Sequence, residues 1–459
     1  MLWRGAPLRF AALRNKDYAL FWGSHVLSRT GSEMRTVAFS WHVYQLTGSK
    51  LALGLIGACR AVPVIVFGLW GGVTADRFDR RRVLLATQAF MAVVSTTLFF
   101  LTRAHLVTPA LIYAAVALIA TTAAFENPAR ASFVVNVLPK EDLENGLALG
   151  VLGFQVATVL GPALGGVVLS KTSLETLYAA DAISFIPLIG VLFFIRARHG
   201  QSSSADKASS NSAADKHSSE AGADKASSEG GAARSGAGEP SKKQEEAQKT
   251  GIAAIKDAFS FLRTKPVLIH LMWIDFLATL FAGALLLLPV FSKEVFHRGA
   301  EGLGMLMAAP AVGAVIAGAA LSSRPPIQRH GVALLGAVVV YGVATALFGL
   351  TTSFHLGLFL LAVSGAADTV STVVRQVARQ TMIPDEMRGR LNAIHMLFFV
   401  SGPQLGELEA GALAQLTSAG FSVVTGGLAC VVMGLVVAAT LPEVRNIRIA
   451  RPAPEPVKA

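Results

Sequence analysis

The chain has 459 residues, of which 53% are apolar and only 15% charged, with 43 glycines and a net charge of +11. This balance sets aside a water-soluble enzyme of two or three domains and describes a polytopic membrane protein, in which spans of roughly 20 residues recur between short loops. The positive charge would suit a nucleic-acid binder if it lay in one patch, but it lies in alternate loops, so no nucleic-acid partner is expected.

In chain order, residues 1–17 carry Arg4, Arg9, Arg14 and Lys16 without a small-residue cleavage site after the first apolar run, and read as a cytoplasmic lead-in to a retained helix. Six apolar runs follow, at Tyr18–Leu46, Leu51–Trp70, Val83–Leu101, Pro109–Ala124, Gly146–Leu169 and Leu177–Ile195, which predict an N-terminal six-helix bundle over 18–198. From 199 to 250 every large apolar residue disappears. A nine-residue repeat begins at Ala205, Ala214 and Ala223, and its low complexity predicts a disordered cytoplasmic linker, either a plain spacer or a partner-binding tail. Over 251–265, Ile252, Ile255, Phe259 and Leu262 oppose Lys256 and Arg263, the pattern of an amphipathic helix on a membrane surface. Six more runs, Pro266–Val290, Gly302–Leu321, Gly331–Leu350, Phe354–Val374, Leu391–Leu416 and Phe421–Leu441, predict a second bundle over 266–441. A polar, proline-rich cytoplasmic tail over 442–459 ends the chain.

On this twelve-helix reading, 32 of the 40 Lys and Arg residues fall on one side and five on the other. Such asymmetry predicts an all-α, multi-pass protein with both termini in the cytoplasm. Cys59 and Cys430 lie inside apolar runs with no partner motif and read as inert thiols.

The halves also repeat. At an offset of 245 residues, Arg130 falls on Arg375, Pro139 on Pro384, Glu141 on Glu386, Gly161 on Gly406 and Gly166 on Gly411. Two parallel six-helix repeats are a transporter architecture, with the substrate site near the midplane between them.

Between the second and third runs, Gly72, Asp76, Arg77, Arg80, Arg81 and Arg82 form a charged stretch with a glycine followed by an aspartate four residues on. It resembles the signature loop of the major facilitator superfamily, although Thr74 and Asp79 stand where that family prefers leucine and glycine. With the segment Pro384 to Asn392, the chain resembles the enterobactin-exporter-like branch of proton-driven exporters. The resemblance implies two pseudo-symmetric six-helix bundles, and a gate in which Asp76 meets Arg80 and the start of the eleventh helix. Gly161, Pro162, Gly165 and Gly166 resemble the end of that superfamily's antiporter motif, while small residues for close helix packing explain the same stretch.

Charged groups inside spans mark the candidate chemistry. Trp22, His25, Arg29 and Glu33 form one stripe on the first helix, with Arg35 and His42 on another face. Arg29 and Glu33, one turn apart, either neutralise each other or handle substrate and protons. Asp275 on the seventh helix should sit at a similar depth across the cavity, with no arginine as near as Arg29 is to Glu33, which makes it the favoured proton carrier. Glu126 and Asp368 read as gate residues that meet Arg130 or Arg375, Asp181 as a solvated group near the outer interface, and Arg60, Glu407 and Glu409 as deep charges without assigned partners, of which Arg60 joins Trp22, Arg29, Glu33 and Asp275 as a candidate for the proton and substrate cavity. Aromatics such as Phe21, Trp41, Phe67 and Trp273 either line a drug-type pocket or pack helices.

No P-loop, nucleophile elbow, HExxH or paired-cysteine site occurs, so an enzyme, a cofactor and a metal are all unexpected. The expected function is proton-coupled export of a small siderophore- or drug-like molecule by alternating access, as a monomer in the lipid bilayer of the bacterial inner membrane. Uptake, lipid flipping and a transporter-like receptor without net flux are the alternatives.

Overall fold

The computed structural model describes residues 11–195, 260–281, 284–323, 327–383 and 388–447. Among these the chain forms twelve long helices and no strand. They are α1 (Lys16–Thr47), α2 (Lys50–Arg77), α3 (Arg80–Arg103), α4 (Pro109–Val137), α5 (Leu143–Lys171), α6 (Leu174–Phe194), α7 (Pro266–Phe281), α8 (Gly299–Ser323), α9 (His330–Leu350), α10 (Phe354–Met382), α11 (Arg388–Leu416) and α12 (Ala419–Thr440). Beyond α7 the chain continues as a 3-10 turn at Ala284–Leu287, one α-helical turn around Pro289 and a π turn at Phe291–Val295. The expected linker over 199–250 and the first part of the expected amphipathic segment lie outside the described residues. Of that segment, Leu262 is buried against Leu268 and Met272.

Helix ends follow local chemistry. The Asn15 side chain caps α1 by accepting from the backbone N–H groups of Asp17 and Tyr18, and Gly48, at φ +60°, closes it in the left-handed conformation. Asp79 caps α3 by accepting from the Arg82 N–H at 3.1 Å, which gives this acidic residue a defined place in a position where glycine was expected.

Several helices outrun their apolar patterns. α2 continues to Arg77, α4 to Val137 and α10 to Met382, so Glu126, Arg130 and Arg375 lie within helices rather than at their mouths. Hydropathy stops at the first charge, but Ala, Arg and Gln keep the backbone helical. Ten helical segments are long and apolar enough to cross a membrane by composition alone. The others, α1 with 32 residues and α11 with 29, have the length but carry Arg29, Glu33 and Arg35, and Arg388, Arg390, Glu407 and Glu409.

The pairing of helices repeats six helices on. α1 packs on α5, α2 on α4 and α3 on α6, just as α7 packs on α11, α8 on α10 and α9 on α12. Between the halves, α2 meets α11 and α5 meets α8. A Cβ on Gly166 would sit 2.6 Å from the Gly304 Cα, and one on Gly411 2.7 Å from the Gly54 Cα. In lipid there is little apolar surface to remove from water, so such backbone-to-backbone contact is how helices gain cohesion. Repeat-related Gly166 and Gly411 therefore do the same work on opposite sides of the pseudo-twofold axis.

Both contacts lie toward the end of the molecule that carries Gly48 and Ser49. There an apolar cluster runs through both halves, from Leu53 and Ile56 to Phe291, Leu303 and Ala414. The Tyr44 hydroxyl donates to Glu294, and the backbone N–H of Lys50 donates to the Gln415 side chain at 3.0 Å. This end is sealed. At the opposite end Trp70 is 70% exposed and Phe78 and Phe194 are also exposed. The first residues after α12 are anchored: Val444 and Ile447 are buried against α7 and α9, and the rest of the expected polar, proline-rich tail lies outside the described residues.

Candidate functional site

Inside the N-terminal half, α1, α3, α4, α5 and α6 enclose a cavity of about 190 Å³. Its charged lining is Arg29, Arg35, Glu126 and Arg130, and Phe154 forms part of its wall. A second cavity of about 340 Å³ adjoins it, shares His25, Arg130 and Phe154, and is otherwise lined chiefly by apolar residues including Phe21, Trp22 and Val151.

Arg29 and Glu33 form an ion pair at 2.8 Å along α1, with the arginine side chain 41% exposed. Arg130 donates to His25 Nε2 at 2.9 Å and to Asn127 Oδ1 at 3.2 Å. Glu126 accepts a hydrogen bond from Gln88 and lies near Arg130, Arg29 and Arg35. The helix extension of α4 thus brings two expected gate residues into the cavity wall. Trp22 donates its indole N–H to the Leu149 carbonyl at 2.7 Å, which fixes α1 to α5.

Behind this wall, Asp181 of α6 is fully buried and paired with Arg35. Ser95 donates to the same carboxylate at 2.5 Å and Ser32 at 3.3 Å, while Arg35 also donates to Ser95 at 3.1 Å. The expectation of a solvated Asp181 is therefore wrong, because the depth of a residue along its helix says nothing about which way it faces. Sequence alone missed the pair, although an arginine and an aspartate in separate apolar runs demand partners.

In the C-terminal half, Arg375 lies 2.7 Å from Asp275 and 3.9 Å from Asp368. It also donates to the hydroxyls of Ser371 at 2.8 Å and Thr372 at 3.0 Å. Asp275 and Arg375 are buried, whereas the Asp368 side chain is 51% exposed. Repeat-related Arg130 and Arg375 thus reach from α4 to α1 and from α10 to α7 respectively. Asp275 has its own arginine after all, as close as Arg29 is to Glu33.

Arg60 on α2 and Glu407 on α11 lie 3.8 Å apart and join the halves on the cavity side of the glycine contacts. Of the expected gate, Arg80 donates to Asn136 at 2.9 Å, and Arg81 donates to the Leu192 and Phe193 carbonyls at the end of α6. These bonds fasten α3 to its own half. Gly72, Asp76 and Arg77 lie outside the residues whose side chains are described. In the antiporter-like stretch Gly161 abuts Glu33 and Thr30, Gly165 abuts Met34, and the Pro162 carbonyl and Gly166 abut Gly304.

The chain matches the family described as transmembrane secretion effector over residues 8–212 and 239–457. It is 24% identical over 424 residues to the enterobactin exporter EntS of Citrobacter koseri, covering 91% of this chain and 90% of that protein. Against the protein of the same name from Salmonella typhi it is 23% identical over 421 residues, covering 91% and 90%. Among solved structures, a bacterial homolog of the human lysosomal transporter Spinster, inward-facing and unoccupied, superposes with a TM-score of 0.67 at 13% identity over 98% of this chain and all of that one. A POT family transporter in complex with a thioalcohol-conjugated peptide gives 0.68 at 11% identity, over 94% and 96%. At these identities the structural likenesses speak for the fold alone.

Proposed function

Because the chain belongs to the transmembrane secretion effector family, in the enterobactin-exporter-like branch of the major facilitator superfamily, we propose that it exports a small siderophore- or drug-like molecule across the bacterial inner membrane in exchange for protons. Membership makes it a multi-pass membrane transporter and not an enzyme. The observation that supports alternating access is the set of contacts between the halves, which seals the Gly48 end, together with the charged cavity inside the N-terminal half. In this reading the bundles 18–198 and 266–441 rock about the α2–α11 and α5–α8 contacts, so that the cavity faces each side in turn. The Arg60–Glu407 pair and the glycine contacts then part when the sealed end opens. By resemblance to the superfamily, Asp76 and Arg77 hold the other end when it closes, while Arg80 and Arg81 brace α3 within its own half.

Substrate binds in the N-terminal cavity, at Arg29, Glu33 and Arg130, and the proton loads in the C-terminal cluster at Asp275. Two carboxylates flank Arg375, so a proton on Asp275 does not strand the guanidinium, which passes to Asp368. Moving one charge through 100 mV supplies about 2.3 kcal/mol, to which a pH gradient adds. The purified protein in liposomes is expected to accumulate substrate against its gradient when only a pH difference is imposed. Binding without flux would favour the receptor reading, and flux indifferent to pH would remove the proton. The basic asymmetry favours a topology with both termini in the cytoplasm, in which reporter fusions after Gly48, Arg103, Thr172, Gly299, Ser353 and Gly420 should all report the outside. Two reporting the cytoplasm would sink that topology.

A further inference from the structure

We propose that the N-terminal cavity is built for the acidic group of an aromatic organic anion, with the ring system lying in the adjoining apolar chamber. The proposal deepens the export reading and takes from it only the direction of movement.

Three guanidinium groups line the inner cavity, those of Arg29, Arg35 and Arg130, against one carboxylate, Glu126. Glu33 and Asp181, which pair with Arg29 and Arg35, stand behind the lining. Arg130 hydrogen-bonds to an imidazole nitrogen and an amide oxygen, and the one carboxylate near it, Glu126, accepts its hydrogen bond from Gln88. The Nε atoms of all three arginines are buried without an acceptor. A guanidinium offers five donors and no acceptor, so this group of three is under-supplied with acceptor oxygens by the protein itself.

The aromatic part follows from Phe154. The Arg29 guanidinium lies 5.1 Å from the centroid of its ring, and the ring is 47% exposed. Phe154, His25 and Arg130 are the residues common to both cavities. Phe21, Trp22 and Val151 continue the surface away from the charges. A ligand spanning the two would place its carboxylate against Arg130 and Arg29 and its ring beside Phe154 and Trp22. A cationic ligand would meet guanidinium groups whose partners Glu33 and Asp181 lie behind the lining, and a neutral one would leave the free donors unanswered.

Binding to the full chain in neutral detergent, followed by tryptophan fluorescence, tests this with three probes of one shape: 1-naphthoate, 1-naphthalenemethanol and 1-naphthylmethylamine. Naphthoate should bind at least about tenfold more tightly than the other two, since one charge-assisted contact is worth that much. Arg130→Gln should bring the ratio of naphthoate to alcohol affinity close to one. Arg130→Lys should restore part of the preference, at an unaltered melting temperature, and Glu126→Gln should strengthen naphthoate binding. Equal binding of the three probes by the native chain, or a preference that survives both Arg130→Gln and Arg29→Gln, would overturn the proposal. Competition by lysophosphatidylglycerol at concentrations below those of naphthoate would overturn the aromatic half of the proposal and assign the site to a lipid headgroup, whereas displacement by soluble aromatic acids alone would support it. Intact naphthoate binding in a protein without flux would defeat export and leave this site standing. Flux of a substrate without anion preference would do the reverse.

Discussion

Asp181→Ala is expected to cost about 3–5 kcal/mol of folding stability, the range for removing one partner of a buried ion pair. Arg35 is 4% exposed and would keep its charge with Ser95 as its remaining hydrogen-bond partner and no directly paired carboxylate, while Ser32 and Ser95 would both lose their acceptor. The loss therefore falls on the junction of α1, α3 and α6, the frame of the inner cavity. It should appear as a lower melting temperature and a lower yield of monodisperse protein in detergent. The double substitution Arg35→Met, Asp181→Leu should recover much of the loss, because it removes both charges together and fills the space. A single variant as stable as the native chain would show that α1 and α6 hold together without the pair.

Asp275→Asn is expected to reduce pH-driven accumulation to background while leaving substrate affinity in the N-terminal cavity unchanged. Asparagine keeps the shape but cannot gain or lose a proton, and Asp368, 3.9 Å from Arg375, remains to hold the arginine in place. The separation of the effects is the informative part. Flux measured under a pH difference alone should vanish, whereas exchange of labelled for unlabelled substrate at equal pH should persist, since it needs the conformational change but no net proton movement. A variant that still accumulates substrate under a pH difference alone would move the proton to Asp368 or Glu126. Glu33→Gln, by contrast, should weaken substrate binding through loss of the 2.8 Å pair that orients Arg29.

The apolar runs sufficed to place the helices, because a bilayer forces every spanning backbone to satisfy its own hydrogen bonds and leaves little else to choose. The ends were misplaced where that constraint lapses. α4 runs on through Glu126 and Arg130, and α10 through Arg375 and Arg379, since helices leaving the hydrocarbon need no apolar side chains. The site was legible as a set of buried charges but not as a set of pairs. Arg29 and Glu33 are readable because they are four residues apart on one helix. Arg35 with Asp181, and Asp275 with Arg375, are joined only by the lateral order of helices, which hydropathy does not encode. The internal repeat held more of this information than its identities suggested. Gly166 and Gly411 mark the same kind of contact in both halves, and Arg130 and Arg375 the same reach between helices.

The polarity of α1 has a consequence for how the protein is made. An arginine near the centre of a helix raises the free energy of membrane insertion by about 2.5–3.5 kcal/mol, and α1 carries Arg29 and Arg35 along with Glu33. This helix, which supplies several cavity residues, is therefore poorly suited to entering the membrane alone, and it leaves the ribosome before the helices that answer its charges. Its charges find their answering groups on later helices, Asp181 on α6 above all, which is 146 residues behind Arg35 in synthesis. Until α6 arrives, α1 must be retained by its Glu33, by water or by the insertion machinery. Biogenesis thus places a lower limit on how much of the first bundle must be synthesised before its first helix is settled, and that limit is set by the same residues that shape the cavity.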